Sequence, residues 1–318
     1  MKKHQSVLII ILSILFVSCN SRSESTIIER KGYTRSEELV GDIASVTISH
    51  YALSTKFGEE EIGDLKIEET FIFNAAGNVV EQITYNPIGN PGYKYSTVKR
   101  IYNEQEQLIK KIEYSEDTTF NYKTRYKYNS FGKLSEKRYY TCYSDNDDYH
   151  ELLSSVTKPL YDNTGKLSEV SSYNSSGELR SKELRTYDND EYLIERSIYN
   201  SKGDLDKKYT FNYDRKGNRI EQCKYDSDEL LVERAYITYK DNRPVEMHVY
   251  SRDQLIRRVV SKYENGKNIE EINYLANGDI EYLFVCIYDE MGNMTQQKLY
   301  EGNIKQPSEL TTWNIEYR

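Results

Sequence analysis

The residues of this chain with chemistry to offer are few and scattered. His50, His150 and His248 stand apart, with neither zinc-ligand spacing nor a nucleophile partner in sequence. Asp145-Asn146-Asp147-Asp148 clusters carboxylates of the kind that hard cations take. An EF-hand loop counted from Asp145 fails, because His150 stands where glycine belongs and Val156 where the closing glutamate belongs. A solvated acidic loop is the better reading, so neither metal nor cofactor is expected. No phosphate-cradling glycine loop, dinucleotide fingerprint or Gly-x-Ser-x-Gly elbow occurs.

One charged pattern does recur. Glu81, Glu136, Glu169, Glu195, Glu221, Glu246 and Glu270 each lie four residues before a tyrosine. On alternate strands of a sheet they would form a column with like charges about 10 Å apart. Such a column serves as a stripe for cations or a basic partner, or it is neutralised by Lys and Arg on the intervening strands. The second reading is favoured. No pair of carboxylates in contrasting surroundings stands out, so the chain is expected not to be an enzyme.

The elements that would carry these residues are legible in the tyrosines. There are 31 of them against a single Trp, which with little Ala or Leu points to β structure. From Tyr161 to Tyr239 they fall alternately 12 and 14 residues apart. Most are followed by Asp or Asn and then, three residues on, by Gly, as in Asp162/Gly165, Asn174/Gly177, Asn200/Gly203 and Asp214/Gly217. The Asx side chain caps the turn, and the glycine accepts a positive φ in a type I turn closed by a bulge. Asp188 to Glu191 and Asp226 to Glu229 lack the glycine, which predicts strain or another turn type. Aromatic junctions run from Phe73 to Tyr317, so the spacing predicts an all-β fold. We read it as an antiparallel β-meander of about nine two-strand units. Open sheets rarely exceed about ten strands without curling. The expected form is therefore an open shell or superhelical ribbon.

Tyr161-Asp162-Asn163-Thr164-Gly165-Lys166-Leu167 resembles the YD repeat of bacterial RHS-type proteins, and the resemblance extends from Phe73 to the C-terminus. RHS-type proteins wall off a cavity with long arrays of such repeats, often around a toxin. The resemblance implies a hairpin array and, as an alternative role, an immunity or accessory protein for a secreted RHS-type toxin.

The N-terminus supplies an address. Lys2 and Lys3 precede the apolar run Val7 to Val17, too short to span a bilayer, as in a secretory leader. It ends Phe16-Val17-Ser18-Cys19, which resembles the bacterial lipobox. That resemblance implies a signal peptide over residues 1–18, Cys19 as the lipid-attachment residue and a lipid-anchored protein of the bacterial envelope, in the outer membrane. The alternative is an ordinary leader cleaved nearby. Residues 19–38 read as a flexible, Ser-rich tether and 39–318 as the repeat domain. Formal charge is −8, and loss of Lys2 and Lys3 makes it more negative, which argues against nucleic acid.

Cys142, Cys223 and Cys286 remain, an odd number. Cys223 and Cys286 fall five predicted strands apart, about 24 Å across a regular sheet and beyond disulfide reach. The longest spacings, Tyr85 to Tyr102, Tyr140 to Tyr161 and Tyr300 to Tyr317, all follow the first strand of a pair, so their additions should gather on one rim. Binding surface accumulates on insertions into a rigid repeat. The expected partner-binding rim holds Tyr93, Tyr143, Asp147 and Tyr149, with a protein or glycan as its partner. The functional expectation is a non-enzymatic binding or scaffold module.

Overall fold

The computed structural model describes residues 39–86, 94–115, 120–145, 148–302 and 306–318. Cys19, Tyr93 and Asp147, together with the leader and tether, lie outside the described residues. Twenty strands follow one another along the chain. The first ten are β1 (Ile43–Lys56), β2 (Glu59–Phe73), β3 (Val79–Tyr85), β4 (Lys94–Tyr102), β5 (Leu108–Ser115), β6 (Phe120–Tyr128), β7 (Leu134–Asp145), β8 (Asp148–Tyr161), β9 (Leu167–Asn174) and β10 (Leu179–Tyr187). The second ten are β11 (Leu193–Tyr199), β12 (Leu205–Tyr213), β13 (Arg219–Tyr225), β14 (Leu231–Lys240), β15 (Arg243–Ser251), β16 (Gln254–Glu264), β17 (Lys267–Leu275), β18 (Ile280–Tyr288), β19 (Met294–Glu301) and β20 (Glu309–Tyr317).

Each strand pairs antiparallel with the next, and β1 also pairs with β20 from Ile43↔Tyr317 to Ala52↔Glu309. The sheet is therefore a closed barrel of twenty strands. This corrects the expectation of an open shell or superhelical ribbon. The array also begins earlier than the tyrosine pattern, because β1 and β2 form a further hairpin that belongs to the ring. Closure follows from what the two end strands carry. Val46 and Ile48 are fully buried and, with Ile43, Phe71, Phe73 and Val79, pack against Leu39, Trp313 and Ile315. Around this apolar seam Ser45 bonds Glu316 at 2.7 Å, His50 meets Thr311 at 3.0 Å, and Lys66 pairs with Glu309 at 2.6 Å. Arg318 reaches Asp42 at 2.6 Å and donates to the carbonyls of Phe73 and Asn74.

The turns show why the repeat has its form. Asp214 Oδ1 accepts the amides of Lys216 and Asn218, and Gly217 donates to the Asp214 carbonyl at 3.0 Å with φ +83°. A side chain on Gly217 would also run into the ring of Tyr192. The turns without glycine keep the same bonds. Glu191 donates to Asp188 at φ 71° and Glu229 to Asp226 at φ 57°. They are strained copies of one turn, since the left-handed region costs an L residue about 1–2 kcal/mol. A register shift accompanies nearly every turn at its tyrosine, as at Ile198/Tyr199 and Asn212/Tyr213.

The register puts the tyrosines in two rows on opposite faces. Tyr102, Tyr128, Tyr161, Tyr187, Tyr213, Tyr239 and Tyr288 share one face near the rim that carries both described chain ends. Each donates its hydroxyl to a carbonyl at the start of the preceding strand, that of the first residue at Val79, Leu108, Leu134, Leu167, Leu193 and Arg219 and of the second at Asn268. These bonds measure 2.7–3.1 Å. The rings cover leucines, of which Leu134 is 1% exposed and Leu167 2%. This is the clamp face. Tyr140, Tyr173, Tyr199, Tyr225, Tyr250 and Tyr274 lie on the other face toward the opposite rim. That face also carries the recurrent glutamates, and we call it the glutamate face.

No common core fills the ring. The apolar clusters each unite nearby strands only, and the hydrogen bonds and ion pairs of the described residues join strands at most three apart around the ring. In circular section twenty strands at about 4.8 Å, tilted about 40°, enclose a ring about 40 Å across. Mid-strand positions are charged on both faces. Lys99, Arg125, Glu195, Glu221 and Arg258 lie on the glutamate face, and Arg100, Lys111, Lys137, Glu183 and Arg196 on the clamp face. A membrane-spanning barrel presents an unbroken apolar band about 25 Å tall, and among the described residues these charged positions interrupt both faces.

Two outcomes are expected from urea unfolding. Tyr187→Phe lowers stability by about 1 kcal/mol by orphaning the Leu167 carbonyl, whereas Tyr199→Phe, in the row without such clamps, changes it by less than about 0.5 kcal/mol. Glu191→Gly raises stability by about 0.5–1 kcal/mol, because the relieved φ strain exceeds the added chain entropy.

Candidate partner-binding rim

The rim away from the chain ends carries the connections β3–β4, β7–β8 and β19–β20, which are the three long spacings of the sequence. The β7–β8 hairpin is the tallest of these. Its register runs unbroken from Tyr140↔Leu153 up to Asp145↔Asp148. On one side β6 supports β7 as far as Phe120↔Tyr143. On the other, β9 reaches only Ser155↔Asn174. From Asp148 to Ser154 the outer edge of β8 therefore has no strand partner among the described residues.

The structure separates the expected rim residues. Tyr143 and His150 are directly opposite on the clamp face, their rings stacked at 5.0 Å. Tyr149 lies on the glutamate face, 54% exposed, with the Lys123 ammonium 5.1 Å from its ring centroid. Leu152 is 55% exposed on the same edge. The residues that hold the hairpin upright were not singled out from sequence. Lys123 has a side chain only 7% exposed and pairs with Glu151, which Arg125 also meets at 2.8 Å. The Lys123 hydrogen bond, aided by the fields of Arg125 and Lys110, holds the Glu151 carboxyl below the usual carboxylate range. Arg125 in turn lies over the Tyr140 ring at 5.1 Å. No periodic signal marks Glu151, because it belongs to an insertion. Cys142 is wholly buried beneath this cluster, sealed from reagents.

On the clamp face of β5–β7 lies a groove of about 300 Å³ lined by Lys111, Glu113, Tyr122, Tyr126, Lys137 and Tyr139. Lys137 lies between the Tyr126 and Tyr139 rings, at 5.0 and 5.6 Å. Among the described residues no three His, Cys, Asp or Glu side chains converge as metal ligands. The recurrent glutamates are mostly ion-paired with a neighbouring strand: Glu81 with Lys99, Glu136 with Lys127, Glu169 with Lys182, Glu221 with Arg234 and Glu246 with Arg258. The column is thus a neutralised one over most of the ring. Cys223 and Cys286 lie on opposite faces and form no disulfide with each other.

No protein-family description and no curated protein matches this chain. Among solved structures it is similar to a porin-like protein from Bacteroides uniformis, at 11% identity and a TM-score of 0.37, covering 86% of this chain and 98% of that one. It is also similar to a Photorhabdus luminescens Tc holotoxin pore chain, at 10% identity and a TM-score of 0.23, over 77% of this chain and 19% of that one. A DUF1329 family protein from Desulfovibrio piger aligns over 86% of both chains, at 7% identity and a TM-score of 0.21. Superpositions this loose carry no functional argument.

The Lys123–Glu151 pair yields a stability prediction. Glu151→Gln should cost about 1–3 kcal/mol, since it strips the countercharge from an almost fully buried ammonium. Because the folded-state carboxyl titrates below its unfolded value, the pair's contribution is fully present above the unfolded glutamate pKa, about 4.3. It is lost as pH falls through the lower folded value. Wild type and Glu151→Gln should therefore differ in urea midpoint at pH 7 and converge toward pH 3.

Proposed function

We propose that this protein is a non-enzymatic, lipid-anchored binding module of the bacterial envelope, a water-filled barrel that presents its β7–β8 hairpin to a protein partner. Support for the address comes from the leader and Cys19. The described chain enters at Leu39 on the same rim as its C-terminal residue, so a tether from Cys19 would turn that rim toward the membrane and the insertion-bearing rim away from it. With both walls charged, the barrel stands on the membrane rather than through it.

The observation that carries the binding reading is the unpaired edge of β8. Open edges are ordinarily blunted by charge, because they template pairing with another chain. β2 also extends past its partner β3, and there Glu59, Glu60, Glu61, Asp64 and Lys66 surround the exposed Ile62. The β8 edge instead shows Tyr149 and Leu152. An extended segment of a partner would add to this edge as a further strand, taking affinity from main-chain bonds and specificity from these side chains.

Two measurements test the reading. Cys19→Ala should move the protein from the membrane to the soluble fraction and abolish incorporation of labelled fatty acid. Tyr149→Ser combined with Leu152→Lys, which adds no charge beside Lys123, should abolish partner recovery from solubilised envelope while leaving the melting temperature close to that of wild type. Undiminished recovery by the double variant rejects the edge as the binding surface.

A further inference from the structure

The glutamate column is broken once where the break reverses its sign. The β5 position four residues before Tyr114 holds Lys110 instead of glutamate. In the register Lys110 lies directly opposite Arg125 on β6, and Arg125 directly opposite Arg138 on β7. Three cations thus stand side by side on consecutive strands, about 4.8 Å apart at the backbone. Like charges directly opposite destabilise a sheet, and no other part of the column shows the arrangement: Glu169 faces Leu184, Glu195 faces Thr210 and Glu246 faces Val260.

The surrounding charge does not cancel. Lys110, Lys123, Arg125, Lys127 and Arg138 share this part of the glutamate face with two carboxylates, Glu136 and Glu151, both already engaged by these cations. The side chains of Arg125, Lys127 and Arg138 are 51%, 63% and 41% exposed, and Lys110 is half-buried, with no ion pair among the described residues. A basic patch therefore stands on a chain whose formal charge is −8. Aromatic surface borders it. Tyr114 is 38% exposed and Tyr149 54%, and the Tyr140 ring lies under Arg125. Guanidinium groups pair bidentately with carboxylate or sulfate oxygens, and exposed tyrosine rings stack on the apolar faces of sugars.

We infer that the Lys110–Arg125–Arg138 row on the glutamate face of β5–β7 is a binding site for an anionic polysaccharide. The extended row matches a polymer with regularly spaced charges better than a single small anion, and the flanking rings favour sugar over a bare polyanion. The site borders the β8 edge at Tyr149, but its cations Lys110 and Arg138 take no part in that edge.

The test is titration calorimetry on the full folded domain with polygalacturonate, dextran sulfate and a single-stranded DNA oligonucleotide as probes. Polygalacturonate or dextran sulfate should bind wild type, more weakly as salt is added. Lys110→Glu, which restores the column's usual residue beside Arg125, should weaken that binding at least about tenfold. Its urea midpoint should equal or exceed that of wild type, separating a lost site from a lost fold. If Lys110→Glu unfolds, Lys110→Gln must show the loss of binding. Lys262→Glu, on the same face but across the ring, should bind as wild type does. Absence of wild-type binding to both polysaccharides, an equal loss in Lys262→Glu, or DNA binding as tight as the tighter polysaccharide would each overturn the assignment.

Discussion

A meander of twenty strands leaves two edges to satisfy, and the pairing of β1 with β20 satisfies both. Everything else in the architecture depends on that seam. Without it the hairpins would form a long ribbon with a free edge at each end, and a free edge is the aggregation hazard of any β protein. The seam joins an apolar cluster to a set of polar bonds. Val46 and Ile48 are sealed against Trp313 and Ile315, and the ion pair Lys66–Glu309 and the carbonyl bonds of Arg318 lie around them. Apolar burial supplies the drive for closure, and the polar bonds set its register.

Away from the seam the ring is held together without a core. The burden falls on neighbour-to-neighbour contacts, each clamp tyrosine bridging to the strand before it, three of them at the buried leucines Leu108, Leu134 and Leu167. Stability of this kind is a sum over adjacent units, as in other repeat proteins. It tolerates local departures such as the Glu191 and Glu229 turns, because each strained turn is charged to one hairpin and not to a shared interior. Most of the glutamates and their Lys and Arg partners keep part of their surface exposed, with Lys123 and Arg185 the buried exceptions.

The same construction explains where function can be placed. A wall of nearly identical units offers few distinctive positions, so the departures from the repeat are informative. Two lie close together on β5–β8. One is geometric, the β7–β8 hairpin that outgrows β9, and the other is electrostatic, the reversal of sign at Lys110. Lys123 and Glu151 join them, since the buried ammonium steadies the hairpin while the cations around it supply the unbalanced positive charge.

The tyrosine spacing and the Asx-x-x-Gly turns determined the strands, their antiparallel order and the segregation of long connections to one rim, because each is a local consequence of chain geometry. The apolar leader ending at Cys19 likewise carries its implication of lipid attachment in a handful of adjacent residues. Tertiary structure decided three further matters. It closed the sheet, since Val46 and Trp313 read as ordinary strand residues until chain ends 267 residues apart in number are brought together. It made the two tyrosine rows unequal, because the hydroxyls of the clamp row come within reach of backbone carbonyls on the preceding strand. It also aligned Lys110, Arg125 and Arg138, whose opposition depends on the register of two separate hairpins, a relation between strands that no single stretch of sequence contains.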